Sequence, residues 1–181
     1  MKNIPQYHQD VFTVISEAAQ KLDVPVYVVG GYVRDYYLDR LKEADIDIDF
    51  VTVGSGIELA REVSNHMKGS SLAVYKQFGT AQVKAGNLEL EFVGARKESY
   101  RKNSRKPIVE DGTLEDDQLR RDLTINALSW SLNKENYGEL IDPFNGMEDL
   151  KNENIKTPID PHQTFSDDPL RMMRAIRFAS Q

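Results

Sequence analysis

The segment "ADIDIDFVTVG" (44–54) places Asp45, Asp47 and Asp49 at every second position, with apolar residues between them. Side chains alternate across a β-strand, so these carboxylates would share one face while the apolar residues enter the core. Carboxylates at such positions lie about 7 Å apart at Cα, close enough to bind one or two hard cations such as Mg²⁺. The alternative is the charged, solvated face of an edge strand, which deters aggregation.

A glycine pair follows the first predicted strand, in "VVGGYVRDYYL" (28–38). Gly30 and Gly31 would let backbone amides approach an anion at the start of the next helix, and Arg34 lies one turn further on. The alternative is a tight turn with Arg34 on the surface.

Two further segments combine arginine with aspartate. In "LRRDLTINAL" (119–128), Arg120 and Arg121 offer fixed positive charges to phosphate oxygens. Asp122 and Asn126, one turn apart on a predicted helix, could bind the same polar group. The alternative is a helix with ordinary surface charges.

In "FSDDPLRMMRAIRFAS" (165–180), Asp168 and Arg171 are three residues apart, and Arg174 and Arg177 continue the interval. A carboxylate beside a guanidinium presents the acceptors and donors that the edge of a base requires. An intrahelical ion pair is the simpler alternative. Together with the aspartate pair and the glycine turn, these arginines predict a site for a nucleoside triphosphate.

The elements that must position these residues follow from the spacing of apolar side chains. Helices are predicted over 8–22, 32–38, 57–67, 118–132 and 167–180, and strands over 26–31, 46–53, 72–78 and 80–95. The last strand is a hairpin that turns at Gly86-Asn87. Ser55 is predicted to cap the third helix. Residues 96–117 are predicted to be a polar loop, and 140–150 a turn-rich connector.

The composition limits the classes of protein that fit. The 181 residues suffice for one sizeable domain, or one domain and the start of another. A net charge of −6 argues against a generally basic nucleic-acid-binding surface, and the one basic run is "RKESYRKNSRK" (96–106). No run approaches the roughly 18 apolar residues that span a membrane, and the N-terminus lacks a signal-peptide pattern. The sequence has no cysteine, which fits a cytoplasmic location.

Six segments resemble, in sequence and in order, the class II tRNA nucleotidyltransferase/poly(A) polymerase family, which includes the CCA-adding enzymes. They are "VGGYVRD", "DIDFVTVG", "EFVGARKESY", "LRRDLTINAL", "IDPFNGMEDL" and "DDPLRMMRAIRFA". The resemblance implies an α+β, polymerase-β-like nucleotidyltransferase head, with a mixed, mainly antiparallel sheet flanked by helices, over 1–145. It implies a connector and the first helix of a helical neck over 146–181. We therefore expect the tRNA-holding body and tail to lie outside this chain.

The resemblance also implies a set of site residues. Asp47 and Asp49 would be the catalytic carboxylates of a two-metal Mg²⁺ site, although a register with Asp45 and Asp47 stays open. Glu91 would be the third catalytic carboxylate, with Glu89 on the same face as the alternative.

Nucleotide binding is implied for a second group of residues. Gly30, Gly31 and Arg34 would contact the triphosphate, and Arg121 and Asp122 would hold phosphate and ribose, with Asn126 nearby. Asp168 and Arg171 would read the base of CTP or ATP, and Arg174 and Arg177 would support them. Asp167 stands where the family has glutamate.

The implied function is template-independent addition of CMP and AMP to the 3′ end of tRNA. Three alternatives remain: a poly(A) polymerase, a nucleotidyltransferase that acts on a small molecule, and a non-catalytic nucleotide-binding domain. "VYKQFGTAQV" (74–83) resembles the CCA-adding branch more than the "G-R-R-F" segment of bacterial poly(A) polymerases. The loop "RKESYRKNSRKP" resembles the flexible loop linked to addition of the terminal A, which argues against a CC-only enzyme.

Overall fold

The computed structural model of the chain describes residues 4–41, 46–99 and 108–181. These residues form two compact units. Unit 1 contains Met1–Gly94 and Ser129–Ile141, and unit 2 contains Ala95–Leu128 and Asp142–Gln181. The head-to-neck boundary expected near residue 145 stays a prediction.

The described residues contain strands and α-helices in a mixed order along the chain. The strands are β1 (Val26–Val29), β2 (Ile46–Thr52), β3 (Ser71–Tyr75), β4 (Thr80–Ala85), β5 (Leu88–Gly94), β6 (Arg96–Ser99), β7 (Ile108–Asp111), β8 (Ser129–Ser131) and β9 (Leu140–Ile141). The helices are α1 (Gln6–Leu22), α2 (Gly31–Tyr37), α3 (Gly56–His66), α4 (Leu114–Leu119), α5 (Gly146–Lys151), α6 (Pro161–Asp167) and α7 (Leu170–Ala179).

Unit 1 is built on one sheet with the strand order β3-β4-β5-β2-β1-β8-β9. Neighbouring strands are antiparallel except β2 and β5, which run parallel. The predicted α+β class with a mixed, mainly antiparallel sheet is therefore confirmed. Unit 2 contains the β6–β7 hairpin and the helices α4 to α7.

Aromatic packing holds β2 beside β5 in the core of unit 1. Phe12 of α1 meets the edge of Phe50 on β2 at 5.9 Å between ring centroids. Phe50 in turn stacks on Phe92 of β5 at 5.0 Å. All three rings are at most 1% exposed, so this cluster buries a large apolar area where the two strands meet.

Several sequence predictions hold in unit 1. α1 matches the helix predicted over 8–22, and the β4–β5 hairpin turns at Gly86-Asn87 as expected. The Ser55 side chain accepts a hydrogen bond from the Glu58 amide and so caps α3. The predicted strand over 72–78 is too long, because β3 ends at Tyr75 and a 3₁₀ turn follows.

The helix predicted over 118–132 is wrong. α4 ends at Leu119, a 3₁₀ turn spans Thr124–Asn126, and Ser129–Ser131 forms β8. β8 pairs with β1, and the apolar side chains between 123 and 132 are buried, so tertiary pairing overrides the local helical pattern.

Three other segments also differ from prediction. The supposed loop over 96–117 contains β6, β7 and most of α4, whereas residues 100–107 lie outside the described residues. The connector over 140–150 contains β9 and most of α5. The last predicted helix breaks at Asp168 and Pro169, so α6 ends before α7 begins. Within residues 4–41, 46–99 and 108–181, no helix is long and apolar enough to cross a bilayer.

Candidate active site

The aspartates of β2 alternate with core residues as expected. Asp47 and Asp49 are exposed on one face of the strand, whereas Ile48 and Phe50 are 0% and 1% exposed on the other. Asp45 lies outside the described residues, so the alternative register through Asp45 and Asp47 stays open.

The parallel pairing of β2 with β5 brings two glutamates beside these aspartates. Asp47 is the register partner of Glu89, and Asp49 is the register partner of Glu91. Partners on adjacent strands lie about 5 Å apart and share a face. The Glu89 carboxylate already accepts hydrogen bonds from Gln82 Nε2 at 2.9 Å and from a lysine of β4 at 3.3 Å. Glu91 thus lies beside Asp49 and Glu89 beside Asp47, and the choice of Glu91 over Glu89 as the third carboxylate stays a prediction.

The donor set on this face suits Mg²⁺. Among the described residues, no group of three or more Asp, Glu, His or Cys side chains could enclose a metal ion. Mg²⁺ does not need such a cage, because it is usually held by one or two carboxylates together with substrate phosphates and water. Two exposed carboxylates on one strand, Asp47 and Asp49, therefore fit a metal that arrives with a nucleotide.

The glycine turn begins where β1 ends, next to these carboxylates. Val29, the last residue of β1, is the register partner of Asp49 on the side of β2 away from β5. Gly30 follows with φ +74° and ψ −128°, a conformation that glycine adopts without strain. The turn therefore lies in unit 1 beside Asp49, although the two are far apart in sequence.

Arg34 folds back over this turn. A Cβ atom added to Gly31 would lie 3.7 Å from Arg34 Nη2. The guanidinium donates to Asp35 Oδ1 from Nε at 2.9 Å, and its Nη2 lies 2.8 Å from the same oxygen. Asp35 was not predicted to matter, and it holds Arg34 where an anion at the turn would meet it.

A buried carboxylate organises the arginine pair in unit 2. Asp117 is 0% exposed and accepts from Arg120 Nε at 2.9 Å and from Nη2 of the same guanidinium. It also accepts from Arg121 Nε at 3.2 Å and Nη2 at 3.0 Å. Asp117 was not among the predicted site residues, although its spacing of three and four residues from the arginines is the signal for such pairs on a helix.

Asp122 and Asn126 are close together, but no α-helix joins them: Asn126 ends a 3₁₀ turn that begins at Thr124. Asp122 Oδ1 accepts from Asn126 Nδ2 at 3.1 Å and from the Leu123 amide at 2.9 Å, and Oδ2 accepts from Arg174 Nε at 2.6 Å. Burial raises the pKa of the Asp122 carboxyl, but the hydrogen bonds from Arg174, Asn126 and the amide outweigh it, so the pKa is below its usual range. Asp122 is therefore an ionised anchor for α7.

The pair predicted to read the base, Asp168 and Arg171, lies where α6 ends and α7 begins. Asp168 Oδ1 accepts from the Leu170 amide at 3.2 Å, and Arg171 Nη2 donates to the Arg120 carbonyl at 2.7 Å. The guanidinium of Arg177 lies 4.8 Å from the centroid of the Phe178 ring, within cation–π range. α7 is thus fastened to the 117–126 segment through Arg171 and Arg174.

The predicted residues divide between the units. Unit 1 brings together the carboxylates and the glycine turn with Arg34. Unit 2 brings together the arginine pair, the Asp122–Asn126 pair, and Arg171 and Arg174 of α7, whereas the contact of Arg177 is with Phe178. The roles predicted for these residues stay predictions.

This chain is similar to known proteins over most of its length. The family model described as "Poly A polymerase head domain" matches residues 26–156. The A-adding tRNA nucleotidyltransferase of Aquifex aeolicus is 45% identical over 157 residues, which is 86% of this chain and 18% of that protein. A solved structure of a CCA-adding enzyme, apo form II, matches with a TM-score of 0.88 and 34% identity over 99% of this chain and 41% of its own.

A tRNA nucleotidyltransferase solved in complex with a primer tRNA and an incoming ATP analogue also matches. Its TM-score is 0.76 and its identity 39%, over 91% of this chain and 44% of its own. The chain thus spans less than half the length of these three proteins. Because the family model covers well over half of the chain, the protein described here belongs to the poly(A) polymerase head domain family.

Proposed function

We propose that the protein adds CMP and AMP to the 3′ end of tRNA without a template, by two-metal phosphoryl transfer. The observation that carries the proposal is the parallel pairing of β2 with β5. It sets Asp49 beside Glu91, with Asp47 on the same exposed face and the glycine turn alongside. A cytoplasmic location is part of the proposal and rests on the cysteine-free sequence.

Asp47 and Asp49 would hold Mg²⁺ through carboxylate oxygens, with Glu91 as the third catalytic carboxylate. When bound, the metal would stabilise negative charge on the phosphates and favour ionisation of the acceptor 3′-hydroxyl. The three carboxylates belong to two adjacent strands of a packed sheet, so their positions are fixed before the substrate binds.

In unit 1, the Arg34 guanidinium and the backbone amides at Gly31 would bind phosphate oxygens of the triphosphate. For Arg121 in unit 2 we likewise propose a phosphate contact through its guanidinium. Arg34 is held by its neighbouring aspartate and Arg121 by Asp117, so neither guanidinium must be ordered at the moment of binding. Donors held in place in this way stabilise charge that develops in the transition state.

The bond changes of the proposed reaction balance without a further reactant. The acceptor 3′ oxygen bonds to the α-phosphorus, and the bond from that phosphorus to the oxygen bridging to the β-phosphate breaks. Pyrophosphate leaves with the electron pair, and the hydroxyl proton passes to solvent. Asp168 and Arg171 would select the nucleotide through acceptors and donors aimed at the edge of the base.

A second candidate function differs in the nucleotide that is added. The Aquifex aeolicus relative is named A-adding, whereas the matching apo structure is named a CCA-adding enzyme. Addition of AMP alone is therefore the alternative that the relatives favour. A poly(A) polymerase and a non-catalytic nucleotide-binding domain remain further alternatives.

The decisive experiment supplies the full-length protein with tRNA that ends before CCA or with tRNA that ends after its two cytidines, and with CTP and ATP separately and together. A CCA-adding enzyme would incorporate CMP and AMP on tRNA that ends before CCA. An A-adding enzyme would incorporate AMP on tRNA that already ends in two cytidines, and would not incorporate CMP. Repeated addition of AMP would indicate a poly(A) polymerase. A small-molecule acceptor in a parallel arm tests for a substrate other than RNA.

The metal pair is tested with Asp47→Asn and Asp49→Asn. Each change removes a charge from the proposed Mg²⁺ site, and we expect incorporation to fall by at least about a hundredfold, since each metal stabilises several kcal/mol of charge. Asp10→Asn, an exposed aspartate of α1, is the matched control and should leave the rate unchanged. Near-normal incorporation by either site variant would refute the assignment.

A further inference from the structure

The face of the unit 1 sheet that carries Asp47 and Asp49 also carries other side chains. The row Ala73–Gln82–Glu91–Asp49 crosses four strands in register, from the edge strand β3 to β2. The next row toward the end of β2 is Tyr75–Thr80–Val93–Val51. Residues two apart on a strand share a face, so Tyr75 lies on the same face as Asp49 and Glu91.

Two aromatic rings stand exposed at this edge of the sheet. Tyr75 is 46% exposed and Phe78, in the 3₁₀ turn that follows, is 62% exposed. Lys76 and its neighbours through Gly79 are also exposed. We call Tyr75, Lys76 and Phe78 the aromatic rim. Packing in the core does not explain why aromatic residues stand at these positions, because most of Phe78 is exposed to water.

The aromatic rim lies within reach of the carboxylate pair. Tyr75 lies on β3, three strands from Asp49 on β2, and its row lies two residues further along the strands. The Cα atoms of Tyr75 and Asp49 are therefore about 16 Å apart. A stacked nucleic-acid strand advances about 3.4 Å per nucleotide and would cover that distance in about five nucleotides. The next nucleotides of an acceptor whose 3′ end lies at Asp47 and Asp49 could therefore reach these rings.

The chemistry of the aromatic rim suits single-stranded RNA. Bases stack on tyrosine and phenylalanine rings whatever their sequence, and a nearby lysine attracts the phosphate backbone. Lys76, which is exposed, supplies that charge in the aromatic rim. This local positive charge contrasts with the net charge of −6 of the chain.

We propose that Tyr75 and Phe78 form a stacking platform that binds the single-stranded 3′ segment of the RNA acceptor a few nucleotides before its terminus. This inference rests on the proposed function, since it assumes that the terminal hydroxyl lies at the carboxylate pair. The platform contributes to acceptor binding and leaves the nucleoside triphosphate and the chemical step untouched.

The test measures acceptor binding in the full-length protein with Tyr75→Leu and Phe78→Leu. Leucine keeps an apolar side chain but cannot stack, so each variant should weaken acceptor affinity by about 5- to 30-fold. The KM for nucleoside triphosphate and the rate at saturating acceptor should not change. Phe78→Trp should retain the affinity of the unmodified protein, because the indole ring can still stack on a base.

Tyr137→Leu is the matched control, since Tyr137 is 44% exposed in the β8–β9 connection, at the opposite edge of the same sheet. Direct binding of fluorescently labelled RNA, without nucleotide, is the second readout.

Unchanged RNA affinity in both leucine variants would overturn this inference, even if the protein incorporates nucleotides as proposed. Loss of self-association with unchanged RNA affinity would assign the aromatic rim to a protein contact and overturn it too. Absence of incorporation by the unmodified protein would count against the proposed function, and the RNA-binding readout would still decide the platform.

Discussion

Asp117→Asn tests the buried carboxylate that holds the two arginines of unit 2. Asp117 is 0% exposed, and it accepts two hydrogen bonds from each of the guanidiniums of Arg120 and Arg121. Asparagine has nearly the same shape but no charge and only one acceptor oxygen. The substitution therefore leaves two guanidinium groups, 19% and 16% exposed, without their anion.

These contacts determine how much unfolding free energy Asp117→Asn should lose. Removing one partner of a buried ion pair typically costs about 3–5 kcal/mol, because the other charge stays buried without compensation. Here one acceptor oxygen remains and water reaches part of each guanidinium, so we expect a loss of about 2–4 kcal/mol of unfolding free energy. For a chain of this size that loss lowers the melting temperature by about 5–15 °C.

Urea unfolding followed by circular dichroism measures the change, and Glu115→Gln is the control. Glu115 lies on the same helix, is exposed, and loses the same charge, so its effect should stay below about 1 kcal/mol. We also expect Asp117→Asn to raise the KM for nucleoside triphosphate in the full-length protein, because Arg121 is no longer held. Equal unfolding free energies for the two variants would refute the view that Asp117 organises the arginine pair.

Further predictions concern Asp122 and two glycines. Burial raises the pKa of Asp122, but the hydrogen bonds it accepts, chiefly from Arg174, lower it overall. Its contribution to stability is therefore complete above the unfolded-state pKa of about 3.9 and is lost as the pH falls through the lower folded-state value. The advantage of the unmodified chain over Asp122→Asn in urea unfolding should shrink between about pH 5 and pH 2, and a constant advantage would contradict the assignment. Gly31→Ala should change the unfolding free energy by less than about 1 kcal/mol, because the new methyl has room, while raising the KM for nucleoside triphosphate at the glycine turn. Gly56→Ala should cost about 1–3 kcal/mol, because its Cβ would lie 2.8 Å from the Phe92 carbonyl oxygen; equal thermal stability of the two alanine variants would contradict this difference.

Local patterns predicted the elements whose causes are local. α1 follows from apolar residues at a helical interval, and the β4–β5 hairpin from a Gly-Asn turn between alternating strands. The cap at Ser55 needs only a hydroxyl and a nearby amide. These features depend on residues within a few positions of one another, so the sequence carries them directly.

The prediction of a helix over 118–132 is wrong for a reason that lies in the tertiary structure. Trp130 is 1% exposed in β8, where its Nε1 donates to Tyr37 Oη at 3.3 Å and β1 supplies the strand partner. The same apolar residues would fit a buried helix face, and periodicity over so short a segment cannot separate the two. Only the pairing with a strand from the start of the chain decides the outcome.

The sequence by itself determined that Asp47 and Asp49 share an exposed strand face, because side-chain alternation in a β-strand is a property of the backbone. It also determined which residues could bind phosphate, metal and base, since those capacities belong to the side chains themselves. Only the tertiary structure decided that Asp49 lies between Glu91 and the glycine turn, and that a buried Asp117 holds Arg121. These neighbours come from strand pairing across the sheet and from burial of a charge, and both depend on the packing of the whole unit around them.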